Sequence, residues 1–439
     1  MHNQIIHRLC QAGFEAFLVG GAVRDLLDNR TPNDFDVVTK ATPDQIIRVF
    51  RGEQIKTVGK SFGVTIVNGI EIATFRTDHF PEANGASNCV PQFAETIHDD
   101  LSRRDFTINA LALCPISGDV IDNFDGRSDL KNRVIRFVGD PTERILEDPN
   151  RIIRACRFVA KLEGSFDFNT LHDLRLLSHL VGRIKVERIA GELMKAMELD
   201  HPSLFFAALH TIGALDIVFP GMSASVFHDH GNHHVETIWD HMMLAGDSVS
   251  PRFPLVRLAA FLHDVGKPSS FDVESGSFLQ HEHIGANLVD GWLRRLKFAT
   301  ADRELVKNLV RLHMSGASPG ATPRAIRRFR KTLQDHNVTP QDWLRVRIAD
   351  RKSNLNKTPF SFGDIRFRRG LFVDREEVLP FSVNSLALKG GDIIRIFELT
   401  PGPLVGVLQK HLLNFVIENG PEFNVPELLE EELRKVLEV

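Results

Sequence analysis

Leu18-Val19-Gly20-Gly21-Ala22-Val23-Arg24-Asp25, with Asp34-Phe35-Asp36 shortly after it, is the stretch whose reading decides the fold of the first part of the chain. A short apolar strand, Phe17-Leu18-Val19, runs into two glycines, and Ala22 to Leu27 reads as a helix. Glycine lets the backbone approach a ligand closely, and the free amides at a helix N-terminus favour an anion. A Gly-Gly turn alone is common; two carboxylates a dozen or so residues downstream give it weight. Asp34 and Asp36 alternate along a predicted strand, so both carboxylates fall on one face. Such a pair suits Mg²⁺ ions, which activate a hydroxyl and neutralise a triphosphate. The plain alternative is an exposed polar strand face.

Working outward, Phe35 to Val38, Gly63 to Val67 and Ile70 to Arg76 look like strands. Residues 78–100 are a long polar stretch with Pro81, Gly85 and Pro91, and a loop of that length inside a compact domain is usually functional or mobile. From about residue 141 the pattern turns helical: Arg151 to Leu162 and Val186 to Leu199 have apolar spacing near that of a helix. Residues 225–355 are His-rich and helical, and a polar stretch, 351–363, precedes the tail. The tail shows a strand or turn at Leu386 to Gly391, then two amphipathic helices, with a helix start near Pro403. The expected class is multidomain α+β: a mixed-sheet head at 1–140, then all-α segments at 141–220, 221–355 and 356–439.

Leu18 to Asp36 resembles the nucleotidyltransferase motif of the class II tRNA nucleotidyltransferases and bacterial poly(A) polymerases, within the polymerase-β superfamily. The resemblance implies that Gly20, Gly21 and Arg24 hold a triphosphate and that Asp34 and Asp36 hold Mg²⁺, with Glu71 the candidate third carboxylate. Arg103-Arg104-Asp105-Phe106-Thr107-Ile108-Asn109-Ala110 resembles the second motif, in which Arg104 meets phosphates and Asp105 and Asn109 the ribose. Asp122 to Leu130 resembles the third, thought to couple head and neck. Glu147-Asp148-Pro149-Asn150-Arg151, continuing to Arg154, resembles the fourth, and Val186-Glu187-Arg188 to Glu192 the helix-stabilising fifth.

The fourth block has its own physical logic. Asp148 and Arg151 are three apart and are expected on one helix face. A carboxylate accepts from an exocyclic amine, while Arg donates to a ring nitrogen and carbonyl oxygen. CTP and ATP carry an amine beside an acceptor; UTP and GTP present the reverse. The pair can thus serve as a protein template for C and A, the alternative being a surface salt bridge.

Arg76 to Asp105 resembles the flexible loop of full CCA-adding enzymes, which CC-adding relatives lack. Leu386 to Asp392 and Pro401 to Gly406 resemble the RNA-binding end of bacterial CCA-adding relatives, and no long basic C-terminal extension is seen. The expected function is addition of CCA to tRNA 3′ ends from CTP and ATP. A poly(A) polymerase, an A-adding partial enzyme, a hydrolase with a vestigial head, and a tRNA-binding scaffold remain as alternatives.

His263-Asp264 follows the apolar run Leu255 to Leu262, with His241 upstream and Asp350 downstream. The order His, His-Asp, Asp resembles the HD phosphohydrolase superfamily. It implies a metal at His241, His263, Asp264 and Asp350, and a second at His281 or His283 with His313. Imidazoles and carboxylates suit Mn, Fe, Co, Ni or Zn, which activate water for attack on phosphorus. Cleavage of phosphomonoesters or cyclic nucleotides is expected, a metal-bearing spacer being the alternative. Lys267 could meet a phosphate, and His228, His230, His233 and His234 read as solvated loop residues.

Bulk composition sets limits. The 439 residues are 43% apolar and 25% charged, with no apolar run near a membrane span, and the N-terminus lacks signal-peptide character. Cys10, Cys89, Cys114 and Cys156 have no metal-knuckle or disulfide spacing, so a reducing cytoplasm is expected, and no segment points to an obligate protein partner. A net charge of −4 does not favour nucleic acid, but local patches decide that. Arg324, Arg327, Arg328, Arg330 and Lys331, and Arg366, Arg368 and Arg369, read as solvated faces. The chain has no tyrosine and 32 phenylalanines, against roughly 13 and 17 in an average chain, which suggests Phe standing where relatives carry Tyr, Phe35 and Phe80 included.

Overall fold

The structure, a computed structural model, describes residues 2–32, 34–58, 63–79, 90–228, 235–316, 321–372 and 382–437. Phe80, His230, His233, His234 and Cys89 lie outside them. Two compact units emerge, Met1–Ser223 and Ala224–Val439. No helix among the described residues is long and apolar enough to cross a membrane.

The first unit opens with α1 (His2–Gln11), β1 (Ala16–Val19), α2 (Gly21–Leu27), β2 (Asp36–Thr39) and α3 (Pro43–Val49). Pro43 starts α3, and Gln45 reaches back to the Thr42 amide at 2.8 Å, a capping arrangement that fixes where that helix begins. Then come β3 (Ile55–Val58), β4 (Val64–Val67), β5 (Ile70–Thr74), β6 (Arg76–His79), β7 (Val90–Phe93), α4 (Ile97–Ser102), β8 (Leu111–Leu113) and β9 (Val120–Asp122). Among the described residues one seven-stranded mixed sheet runs β3-β4-β5-β2-β1-β8-β9. Alternation splits its residues between two cores. Leu18 and Val37 pack with Ile5, Leu9 and Ile46, and Val19 and Val38 pack with Phe75, Leu101 and Val138. Strand β2 lies antiparallel to β1, with Val19 opposite Asp36, and parallel to β5, with Val37 opposite Ile72. That register brings Glu71 beside Asp36.

Several boundaries differ from the sequence reading. Strand β2 starts at Asp36, so Asp34 stands just before the paired segment. Residues 70–76 are not one strand: the fully buried Phe75 turns the corner between β5 and β6. Within the polar stretch 78–100, β6 and β7 pair antiparallel and Thr96 caps α4.

Helices come after the sheet: α5 (Gly126–Asn132), then α6 (Pro141–Glu147), α7 (Asn150–Leu162), α8 (Phe168–Leu176), α9 (Val186–Met197), α10 (Ser203–Thr211) and α11 (Leu215–Val218). Helix α7 is buried on most sides, with Ile152, Ile153, Cys156, Val159 and Leu162 inside, because α9 and α10 both pack on it.

The second unit contains α12 (Ile238–Ser248), α13 (Pro254–Leu262), α14 (Lys267–Ser270), a small hairpin of Phe271–Asp272 and Ser277–Phe278, α15 (His281–Arg295), α16 (Thr300–Leu312), α17 (Pro323–Asp335), α18 (Pro340–Ser353), α19 (Phe362–Phe372), α20 (Gly390–Ile396), α21 (Pro403–Asn419) and α22 (Pro426–Leu437). Trp239, Trp292 and Trp343 are all buried here. Of the strand or turn expected at Leu386 to Gly391, no strand forms: the backbone bends. Leu386 and Leu388 instead drop into the core formed by Ile393, Leu408, Leu412 and Leu433, and α20 begins at Gly390. The α17 cluster is not simply solvated: Arg327 is buried and donates to the Ile417 and Glu418 carbonyls at 2.7 and 2.8 Å, closing the end of α21. Arg324 and Arg328 pair with Glu418.

Candidate functional site

The first unit holds a cavity of about 650 Å³ that Gly20, Gly21, Arg24, Asp34, Asp36, Arg104, Asp105, Asn109, Asp148, Arg151 and Arg154 all line. Glu71 opens on an adjoining recess, which shares Asp36 and Arg104 with it. The sheet and two helices explain the convergence. Strand β1 ends at the glycine turn, β2 begins at Asp36 across from it, and α7 brings its polar residues from the other side.

Gly20 has φ +62, and a Cβ there would stand 3.0 Å from the Arg104 guanidinium, so only glycine fits comfortably. Arg24 is buried; it pairs with Asp25 at 2.8 Å and donates to Asn109 Oδ1 at 2.5 Å. Asn109 in turn donates to Asp105 at 2.9 Å, and Arg154 forks onto Asp105 at 2.9 and 2.5 Å. Burial pushes the Asp105 carboxyl up, but Arg154, Asn109 and the Phe106 amide hold it net below the usual range. Asp100, fully buried, accepts from Arg103 at 2.8 Å and Arg104 at 2.9 Å. Burial opposes its ionisation, yet Arg104 and Arg103 keep it net below the ordinary carboxylate value.

The other carboxylates behave oppositely. Burial raises the Asp36 carboxyl and Asp34 adds to it, against the pull of Arg104. Burial and the Asp36 charge raise Glu71. Carboxylates that crowd one another at a cavity floor form a hard oxygen donor set, which fits a divalent cation such as Mg²⁺.

Asp148 and Arg151 share the cavity but not a helix face. Asp148 ends α6 in an extended conformation (φ −147, ψ 96), Pro149 caps α7, and Arg151 lies in the first turn beyond. Asp148 takes a fork from Arg188 of α9 at 2.8 and 2.7 Å. Arg151 pairs with Glu147 at 2.6 Å and donates to the Arg144 carbonyl at 2.9 Å. The extended backbone at Asp148 turns its side chain off the α7 face, although the Arg151 amide still donates to the Asp148 carbonyl at 2.9 Å, so the two side chains are set by separate partners. Sequence reading did not single out Arg157, Lys161 or Lys195 and placed Arg188 only in the helix-stabilising fifth block; all four also line the cavity. Arg157 and Lys161 come after Arg154 on α7 at helical spacing, a signal that was available.

In the second unit His241, His263, Asp264, His281 and His313 are buried around one point, with Asp350 half-buried beside them. His241 Nε2 lies 3.1 Å from His263 Nε2, 3.3 Å from Asp350 Oδ1 and 3.7 Å from Asp264 Oδ2. The other Asp264 oxygen faces His281 Nε2 at 3.3 Å and His313 Nε2 at 3.4 Å. His263, His281 and His313 each turn Nδ1 to a backbone carbonyl, at 2.7, 3.2 and 2.7 Å, and His241 Nδ1 faces Ser353 and Glu236. Every ring thereby points Nε2 inward, the arrangement that orients imidazole ligands. Four inward nitrogens and two carboxylates fit a transition metal, and Asp264 stands between His241 and His263 on one side and His281 and His313 on the other. Burial opposes ionisation of Asp350, but His241, His263 and Arg347 hold it far below the ordinary range.

His283 is exposed and turned to Arg311, so His281 is the member of that pair at the site. Lys267 is buried against Asp264 at 2.6 Å. His228 is half-buried against Phe271 and Phe278, not fully solvated. Arg368 of the second basic cluster lines this pocket.

Residues 16–136 match the "Poly A polymerase head domain" family, 165–225 the "Probable RNA and SrmB- binding site of polymerase A" and 232–354 the "HD domain". Over all of this chain and 98% of the other, the fold matches a Bacillus stearothermophilus CCA-adding enzyme solved in complex with CTP (TM-score 0.70, 23% identity). The chain carries the polymerase head, RNA-binding and HD domains of these families, and its fold is that of a CCA-adding enzyme. Over 234 residues it is 37% identical to Poly(A) polymerase I of Haemophilus influenzae, covering 50% of this chain and 51% of that one. Over 198 residues it is 41% identical to the CCA-adding enzyme of Geobacillus sp., covering 44% and 48%. The chain thus spans about half the length of the curated relatives it matches.

Proposed function

We propose that the chain adds CCA to the 3′ end of tRNA, using CTP twice and then ATP. The observation that carries this reading is one cavity containing the Gly20-Gly21 turn, Asp34 and Asp36, and the Asp148 and Arg151 side chains together. The tRNA 3′-hydroxyl attacks the α-phosphorus; a new P–O bond forms as the bond to pyrophosphate breaks. Asp34 and Asp36, with Glu71 alongside, would hold Mg²⁺, which supplies activation of the hydroxyl and neutralises the triphosphate. Arg24, Arg104 and the glycine amides take the phosphates. Asp105 and Asn109 hold the ribose, and Arg154 fixes Asp105. Asp148 accepts the exocyclic amine of C or A while Arg151 donates to the adjacent acceptor. A carboxylate has roughly four acceptor sites, so Asp148 can take the amine with Arg188 still bound.

The test is extension of a tRNA lacking CCA, resolved to single nucleotides, with Mg²⁺ and CTP or ATP separately and together. A stop after CC with CTP and after one A with both supports the reading. The 37% identity to a poly(A) polymerase favours a second reading, which a long A tail on any RNA would establish. Addition of A only, to tRNA ending in CC, would make this a partial enzyme.

For the second unit we infer hydrolysis of phosphate esters. His241, His263, Asp264 and Asp350 would hold one transition metal and His281 and His313 would serve a second, which supply activated water. Phosphate release from a simple monoester that depends on added Mn²⁺, Co²⁺ or Ni²⁺ and disappears in His263→Ala is the expected result.

A further inference from the structure

The HD pocket, about 260 Å³, is lined by more cations than its carboxylates use. Lys267 is held by Asp264 at 2.6 Å and Arg347 by Asp350 at 2.8 Å. Arg351, Lys357 and Arg368 also line the pocket, and among the described residues no carboxylate comes within ion-pair distance of them. Arg351 spends its Nε on the Thr358 carbonyl at 2.9 Å. Arg368 Nε is shut off from solvent and meets no acceptor. Both guanidiniums face the Phe360 ring, Arg368 at 4.3 Å and Arg351 at 5.5 Å from its centroid. Burial and the charge of Arg347 pull the Arg368 pKa down, with Asp364 opposing and Arg351 adding. Like charges gathered in a cavity with a buried, unanswered donor are stabilised when an anion enters. Lys357, Phe360 and Arg368 lie beyond residue 354, where the HD match ends, so this half of the pocket is supplied by the turn after α18 and by α19.

We infer that the pocket has a second phosphate subsite, built by Arg351, Lys357 and Arg368 beside the metal ligands, and takes a phosphate ester that carries a further phosphate group. The inference rests on the phosphate-ester reading of the HD site. One phosphate lies at the imidazole cluster, where water adds to phosphorus, the ester P–O bond breaks and the departing oxygen takes a proton. The other phosphate is gripped by the guanidiniums around Phe360. Two sources share this chemistry: a free bisphosphorylated nucleotide and an RNA end with a terminal phosphate.

The experiment uses the full chain with adenosine 3′,5′-bisphosphate, adenosine 3′-monophosphate and an RNA dinucleotide ending in a 3′-phosphate. Binding is read by equilibrium dialysis with a chelator present, and hydrolysis by phosphate release with Mn²⁺. Wild type should favour the bisphosphate over the monophosphate in both readouts by at least about tenfold, the size expected for a charge-assisted contact. Arg368→Ala and Lys357→Ala should erase that ratio, while Arg366→Ala, exposed on the same helix and outside the pocket, keeps it. A preference for the dinucleotide alone would assign the subsite to an RNA end. No preference in wild type, or a preference that survives Arg368→Ala, overturns the inference. Bisphosphate preference in binding with no hydrolysis of any ester would sink the phosphate-ester reading and leave the subsite standing. Hydrolysis without preference would do the reverse.

Discussion

Asp36 sits where a paired strand begins, and its place decides its chemistry. The Asp34 charge adds to burial in making Asp36 harder to ionise, and the Asp36 charge does the same to Glu71. Asp36→Ala should lower nucleotide incorporation by at least about 10³-fold, the scale of a lost preorganised charge contact, with tRNA retention on a filter unchanged. Near wild-type rates would refute the metal assignment. Asp148→Ala should relax base choice, and the ratio of CTP to UTP incorporation should fall by about 10²-fold, since a site built around a hydrogen bond rejects partners that lack it. Unchanged fidelity would remove Asp148 from the template. The types of these residues were readable because each sits in a short local motif. The partner of Asp148 was not: Arg188 arrives from another helix, and nothing in the spacing connects them.

At the level of elements, α4 is the clearest case of a short helix fixed by charge. Its buried Asp100 binds Arg103 and Arg104, and Arg103 also reaches Asp78 on β6 at 3.3 Å. The folded Asp100 carboxyl has a lowered pKa, so its stabilising effect is complete above the unfolded value of about 3.9 and is lost as pH falls through the folded one. Asp100→Asn should therefore cost about 3–5 kcal/mol at pH 7 and flatten the loss of stability below about pH 4, measured by circular dichroism melts across pH. Equal acid sensitivity in the variant would contradict this. A second element contact is backbone on backbone: a Cβ on Gly266 would lie 2.1 Å from the His281 carbonyl and 2.5 Å from the Gly285 amide. Gly266→Ala should push α15 outward, cost about 1–3 kcal/mol and weaken metal loading on the His281 side, read as metal bound per chain. Helix existence was legible from apolar periodicity. The ends were less so: Asp148, expected on one helix face with Arg151, ends α6 in an extended conformation, and Phe75 bends what reads as one strand.

On the scale of the whole chain, the sequence reading divided the chain near 141, where mixed pattern turns helical, and again at 220/221 and 355/356. The compact units divide at Ser223, beside the second of these, because α7, α9 and α10 pack together before the HD helices begin. Two units with separate cores can melt separately. A metal that binds only the folded HD cluster raises that unit's midpoint, so a chelator should lower it by several degrees and leave the transition that CTP stabilises unmoved. A single transition shifting as one under both ligands would contradict independent melting. The placement of the aromatic residues decides how such an experiment must be watched. With no tyrosine anywhere and Trp239, Trp292 and Trp343 all in the second unit, intrinsic emission comes from that unit alone. Trp239 shares α12 with His241, and Trp343 shares α18 with Asp350. A paramagnetic ion such as Co²⁺ or Ni²⁺ entering the cluster should quench them, giving a label-free titration of the HD site. The same optics leave the cavity of the first unit without a tryptophan or tyrosine of its own, so the proposed CTP binding there, and the unfolding of the sheet around it, need another probe.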